Sequence, residues 1–230
     1  MKIKSRNKEI KHSRKAFTLA EVLIALVVIG VIAAITVPVC IENYRRVSVP
    51  AKLKKFYSSM NNALRLWYAS SGNYAGSYSF ESSDIKNAQS LKNFYDNGIG
   101  KYLADMQEPE TQSHYLTAVL NDGSGFYAYI GSTSVVYFFY CTEFKYCGGE
   151  TYDGKTSFLF TLRLDKGTFI TSSSGSADGK SREELLSLCK YGNYDNASVA
   201  YSKRRHACAR LIQVDGWQMK DDYPWKGRSL

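Results

Sequence analysis

Five cysteines, three histidines and a few isolated acids are the residues through which this 230-residue chain could do chemistry. Cys141, Cys147, Cys189 and Cys208 form an even set, which in an oxidising compartment reads first as disulfides. Four cysteines can pair in three ways, and the local pairs, Cys141 with Cys147 and Cys189 with Cys208, are the expected ones. Zinc is the competing chemistry, with His206 as a fifth candidate ligand, but the short cysteine knuckle of a structural zinc site is missing. A Cys208–His206 nucleophile pair is a further alternative. Asp215, Asp221 and Asp222 carry oxygens of the kind calcium takes; without EF-hand spacing the plainer reading is three solvated acids. No G-x-S-x-G, P-loop, H-E-x-x-H or G-x-G-x-x-G motif occurs. The expectation is a chain that is not an enzyme and holds no metal or cofactor.

The remaining chemical anomaly is Glu21. From Phe17 to Ile41 the chain runs 25 residues with this one carboxylate. At about 1.5 Å per residue, a helix of that length spans the roughly 30 Å hydrocarbon core of a bilayer. An ionised acid at a helix centre costs about 2.5–3.5 kcal/mol on insertion scales, so Glu21 either reaches the headgroups or has a partner. Before the run stand Lys2, Lys4, Arg6, Lys8, Lys11, Arg14 and Lys15 against Glu9 alone. That excess holds the N-terminus in the cytoplasm and sends the rest across the membrane. The run is too long for a secretory signal peptide, and Pro38-Val39 before Cys40 does not suit a lipoprotein signal.

Ala16-Phe17-Thr18-Leu19-Ala20-Glu21 after a short basic leader resembles the prepilin processing site of type IV pilins and type II secretion pseudopilins. Gly30 and Pro38 stand where that family has its helix glycine and helix proline, counted from Phe17; Ala16 replaces the usual glycine before the cut. The resemblance covers residues 10 to 70. It implies cleavage between Ala16 and Phe17 by prepilin peptidase and N-methylation of Phe17. It also implies pairing of Glu21 with the α-amino group of a neighbouring subunit in a filament. An acid and an amine, each costly alone in apolar surroundings, offset one another and fix helix register. Gly30 would allow close helix approach, and Pro38 should kink or loosen the helix. Implied partners are other pilin or pseudopilin subunits, the peptidase, an inner-membrane assembly platform and membrane lipid.

The formal charge of +9 would suggest an anionic partner. From Phe17 onward, over 214 residues, 23 basic face 20 acidic residues, or +3, so no nucleic-acid partner is expected. After Cys40, Leu53, Phe56, Tyr57, Met60, Ala63, Leu64, Trp67 and Tyr68 mark one face of an amphipathic helix, with Pro50 expected to interrupt and bend it. Residues 71–83 read as a loop and Ile85–Leu103 as a second helix, with a break possible at Asn97-Gly98. Strands are expected at Tyr115–Leu120, Phe126–Ile130, Ser134–Cys141, Ser157–Leu164 and Thr168–Thr171, with turns at Asn121-Asp122-Gly123 and Asp165-Lys166-Gly167. Ser181-Arg182-Glu183-Glu184 reads as a capping box opening a helix to Lys190. Tyr191–Tyr201 is turn-rich, and Arg204–Gln213 is another helix candidate. The aromatic tail from Gly216 to Trp225 is expected to seal the domain, and with Cys189 and Cys208 it resembles the C-terminal regions of predicted bacterial prepilin-type proteins.

These readings add up to an α+β fold: a leader (1–16), a transmembrane and assembly helix (17–71), and a periplasmic or extracellular domain (72–230) with an antiparallel sheet. The expected role is a structural subunit of a type IV pilus or type II secretion pseudopilus, in the bacterial inner membrane before assembly. A DNA-uptake pilin, an uncleaved single-pass binding protein and a tethered enzyme are the alternatives.

Overall fold

A computed structural model describes residues 17–72, 74, 76–104, 106–148, 152–172, 177–191 and 205–224. Ala16 and the leader, residues 192–201 of the turn-rich stretch, Arg204 and Trp225 lie outside the described residues. The chain divides into two units between Asn43 and Tyr44. One long helix, α1 (Leu19–Ser71), contributes its first half to the first unit and its second half to the second. In the first unit the apolar window of α1 has no buried residue, and the helix is long and apolar enough to cross a membrane.

In the second unit α1 buries Val49, Leu53, Phe56, Met60, Ala63, Leu64 and Trp67, the i, i+4, i+7 stripe of a helix lying on a sheet. Pro50 does not break it. The helix runs without interruption through Pro38 and Pro50, and Pro50 is itself buried beside Val49. Burial of the stripe outweighs the roughly 3 kcal/mol that a proline costs within a helix.

Among the described residues the sheet is a six-stranded antiparallel meander: β1 (Glu110–Gln112), β2 (Tyr115–Val119), β3 (Gly125–Ser132), β4 (Val135–Cys141), β5 (Ser157–Arg163) and β6 (Thr168–Ile170). Alternation sends Leu116, Phe126, Ala128, Val136, Phe138, Tyr140, Phe158, Phe160 and Phe169 toward α1, all buried. Tyr115, Tyr127, Tyr129, Tyr137 and Phe139 make a second aromatic layer on the other face, as in the Tyr129–Phe139 stack at 5.8 Å. Phe56 is the centre of the core. Its ring lies 4.5 Å from Tyr140, 5.3 Å from Phe160, 5.5 Å from Phe169, 5.7 Å from Phe126 and 6.3 Å from Phe138.

The second helix is shorter than the expected Ile85–Leu103. It is α2 (Ala88–Asn97), opened by Asn87, whose side chain accepts the Gln89 and Ser90 amides; Gly98 ends it and a 3-10 turn, Ile99–Tyr102, follows. Before it, the loop is stitched across the strand ends: Gly76 N–H donates to Leu164 O, Phe80 N–H to Thr133 O and Lys86 N–H to Ile130 O. α3 (Arg182–Tyr191) and α4 (Cys208–Val214) follow the sheet, α4 starting later than the expected Arg204. At the end of α4, Gly216 and Trp217 take left-handed backbones (φ 75° and 63°), and Trp217 N–H reaches Ile212 O. That turn lays the Trp217 ring on Tyr57 at 5.3 Å.

Phe56→Ala removes the ring against which five others pack. It should cost about 3–5 kcal/mol, or roughly 6–20 °C in Tm for a chain of this size, read by near-ultraviolet dichroism of the detergent-solubilised chain. A drop under about 1 kcal/mol would show that the core closes without it.

Candidate functional site

The N-terminal turn of α1 is built around Thr18 and Glu21. The Glu21 Oε2 accepts both the Thr18 backbone N–H (2.8 Å) and the Thr18 hydroxyl (2.9 Å), while the Glu21 N–H donates to Thr18 Oγ1 (3.3 Å). This is a capping box, which supplies acceptors to amides the helix cannot satisfy itself. It also places negative charge at the positive end of the helix dipole. The pattern Thr18-x-x-Glu21 is itself a capping-box signature visible in the sequence.

Phe17 projects from this turn, 85% exposed. Gly30 follows Glu21 by nine residues, two and a half turns, so the two stand on roughly opposite faces of an ideal helix. A Cβ built at Gly30 meets nothing within 4 Å. Among the described residues nothing therefore demands a glycine there. Near Pro38, which lacks an N–H, the Thr36 hydroxyl donates to Ile32 O at 3.0 Å. Cys40 is a free, exposed thiol. Phe17, Thr18 and Glu21 thus form one cluster, with Gly30 and Pro38 farther along the same helix.

The other four cysteines are spent on two disulfides, Cys141–Cys147 (Cα atoms 5.7 Å apart) and Cys189–Cys208 (4.6 Å). The second ties α3 to the start of α4 and leaves no thiolate at Cys208 for zinc or for a nucleophile pair with His206. Gly154 (φ 71°) runs so close that a Cβ there would strike Cys208 Sγ. Among the described residues no cluster of three His, Cys, Asp or Glu side chains is arranged to hold a metal.

Of the three C-terminal acids expected to be solvated, Asp221 is, but Asp215 is buried and Asp222 is paired. Arg182, the first residue of α3, forks two carboxylates at once. Its Nε and Nη2 donate to Asp215 at 2.6 and 2.9 Å, and its Nη1 and Nη2 to Asp222 at 2.7 and 2.8 Å. Lys220 Nζ adds a 2.8 Å contact to Asp215, whose side chain is only 2% exposed. Arg46 of α1 then binds Asp221 and the Lys220 carbonyl, both at 3.0 Å. Burial pushes the Asp215 carboxyl up, but Arg182 and Lys220 outweigh it and hold the group below the ordinary aspartate range. Arg182 does the same for Asp222. Separations of 33 and 40 residues hid this clamp from a local reading.

Residues 11–37 match the prokaryotic N-terminal methylation motif, the prepilin-type cleavage and methylation signature of type IV pilins and pseudopilins. A long N-terminal helix followed by an antiparallel sheet, under such a motif, defines a type IV pilin-like or pseudopilin-like protein, a class that is generally non-enzymatic. Residues 39–227 match the model described as Family of unknown function (DUF6613), and the chain belongs to that family. No curated protein and no solved structure matches the chain.

Arg182→Met should cost about 2–3 kcal/mol, less than the 3–5 kcal/mol of a wholly buried pair because Lys220 remains on Asp215. The effect should depend on pH with a definite sign. Asp215 and Asp222 have lowered folded values, so the clamp's contribution is complete above the unfolded value near 3.9 and fades as pH falls below it. Thermal unfolding of both forms from pH 7 down to pH 3 should show the gap constant to about pH 5 and closing below pH 4. A gap that widens on acidification would contradict the clamp.

Proposed function

We propose that this chain is a structural subunit of a type IV pilus or type II secretion pseudopilus, held in the bacterial inner membrane until it joins a filament. In this reading the leader, residues 1–16, is cytoplasmic and the domain after the membrane span is periplasmic, where disulfides persist. Prepilin peptidase cuts between Ala16 and Phe17, Phe17 is N-methylated, and other subunits and an inner-membrane assembly platform are the partners.

The observation that carries the reading is an uncovered apolar helix headed by the Phe17–Thr18–Glu21 turn. Thr18 uses only Oε2 of the Glu21 carboxylate. A neighbouring subunit's Phe17 amino group therefore has Oε1 to bind, and capping and pairing need not compete. The open space at Gly30 fits a glycine kept for close approach of a neighbouring helix. Glu21 and Gly30, on roughly opposite faces, would meet different neighbours.

Two measurements test this. Intact mass of the protein from cells with an active prepilin peptidase should correspond to residues 17–230 plus one methyl group; a chain still beginning at Met1 contradicts processing. Glu21→Val should insert and be cleaved normally, because the span becomes more apolar. Its incorporation beside partner subunits should fall at least tenfold, since an unpaired buried amine costs several kcal/mol. Co-purification equal to that of the native chain would remove Glu21 from assembly.

A further inference from the structure

At the end of α1 farthest from Tyr44, a pocket of about 530 Å³ opens between the helix, the loop before α2 and α2 itself, within the range of small-molecule sites. Its floor is aromatic and locked. Trp67 and Phe80 each stand edge-on to Phe94 at 5.3 Å, and Tyr78 lies 4.9 Å from Phe94. Trp67, Phe80 and Phe94 are only 4–6% exposed, whereas Tyr78, though it also packs on Trp67 and Phe80, is half-buried and the most accessible ring of the floor. Gly98 keeps the wall beside the indole thin, since a Cβ there would lie 3.4 Å from Trp67 Nε1.

The rim is polar and pre-set. The Asp84 carboxylate accepts the Ser90 hydroxyl (2.6 Å) and the Glu81 N–H (2.9 Å), which fix its plane and leave further lone pairs. These same bonds hold it ionised below the ordinary aspartate range. Asn93 and Asn97 stand one turn apart on α2. Asn97 Nδ2 donates to Asn93 O and Asn93 Oδ1 accepts from Gln89, both at 3.0 Å. Among the described residues this leaves Asn97 Oδ1 as an acceptor and Asn93 Nδ2 as a donor without a partner.

One partly accessible ring bordered by a fixed carboxylate and two oriented amides does not suit a quaternary ammonium, which needs several ring faces. Nor does it suit a wholly apolar ligand, which would strand the polar rim. A pyranose meets both demands, with an apolar C–H face to lie on a ring and hydroxyls that each donate and accept. We propose that this pocket binds a saccharide, with Tyr78 under the sugar ring and Asp84, Asn93 and Asn97 on its hydroxyls. The site is independent of the filament reading and would give the chain a sugar-recognition surface whether or not it assembles.

The test is saturation-transfer NMR on the full chain, in a detergent without sugar or choline headgroups. Glucose, galactose, N-acetylglucosamine and N-acetylgalactosamine are offered singly at about 5 mM, suited to the roughly millimolar affinity of so small a ligand. At least one sugar should receive saturation, strongest at ring C–H protons. Tyr78→Ala and the exposed-site variant Asn97→Ala should each lower that signal at least fivefold, while Tyr78→Phe retains it, with near-ultraviolet dichroism confirming the fold of each variant. No transfer to any of the four sugars overturns the proposal, as does transfer unchanged in Asn97→Ala, or Tyr78-dependent transfer to tetramethylammonium with none to a sugar.

Discussion

A single helix written for two solvents is the constraint on which the rest of this structure depends. In the first half of α1 the apolar residues run all round, and none of that window is covered. From Val49 onward they narrow to one stripe, and the opposite face carries Lys54, Lys55, Ser58, Asn62 and Arg65, all exposed. Only the second half can be solvated on one side while packing on the other. The sheet is the answer to that stripe: Phe56 meets side chains from β3, β4, β5 and β6, so four strands and the helix must come together to bury one ring.

Glu21 shows how an acid can stand in such a run. Left alone it would cost insertion energy, but the three bonds it shares with Thr18 do work the helix needs in any case, because the first-turn amides have no acceptor of their own. The same carboxylate lies within a turn of Phe17, inside the stretch that matches the methylation motif. Local capping and the proposed pairing with a neighbouring subunit would therefore draw on one residue at one end of one helix. Moving the acid by a single position would swing it about 100° around the axis and lose the cap.

What the sequence made legible was local. The stripe on α1, the Asp122-Gly123 and Lys166-Gly167 turns, five of the strands and the Ser181–Glu184 capping box each depend on residues within a few positions of one another, where periodicity and turn chemistry speak directly. Three things were not legible. β1, three exposed residues with no alternation, exists because it pairs with β2. Pro50, a breaker by its covalent chemistry, stays inside α1 because tertiary burial overrides propensity. The aromatic pocket joins Trp67 to residues of a loop and of α2, which no single stretch announces.

The Arg182 clamp is the sharpest case of the same limit, and it bears on what the C-terminal region is for. Three acids close together invite a cation, and the sequence could name calcium or water as the occupant. The chain supplies its own cation instead. A guanidinium is planar and permanently charged, and it presents enough donors to bind two carboxylates edge-on, which a lysine cannot do. Because Arg182 heads α3 while Asp215 and Asp222 follow α4, closing the fork brings together the two helices that Cys189–Cys208 also joins. Arg46, through Asp221, then fastens that unit to α1. A metal in this place would hold the region only while its concentration lasted. An internal arginine needs no free ion to occupy the site, and its hold weakens in acid, when the carboxylates themselves are discharged.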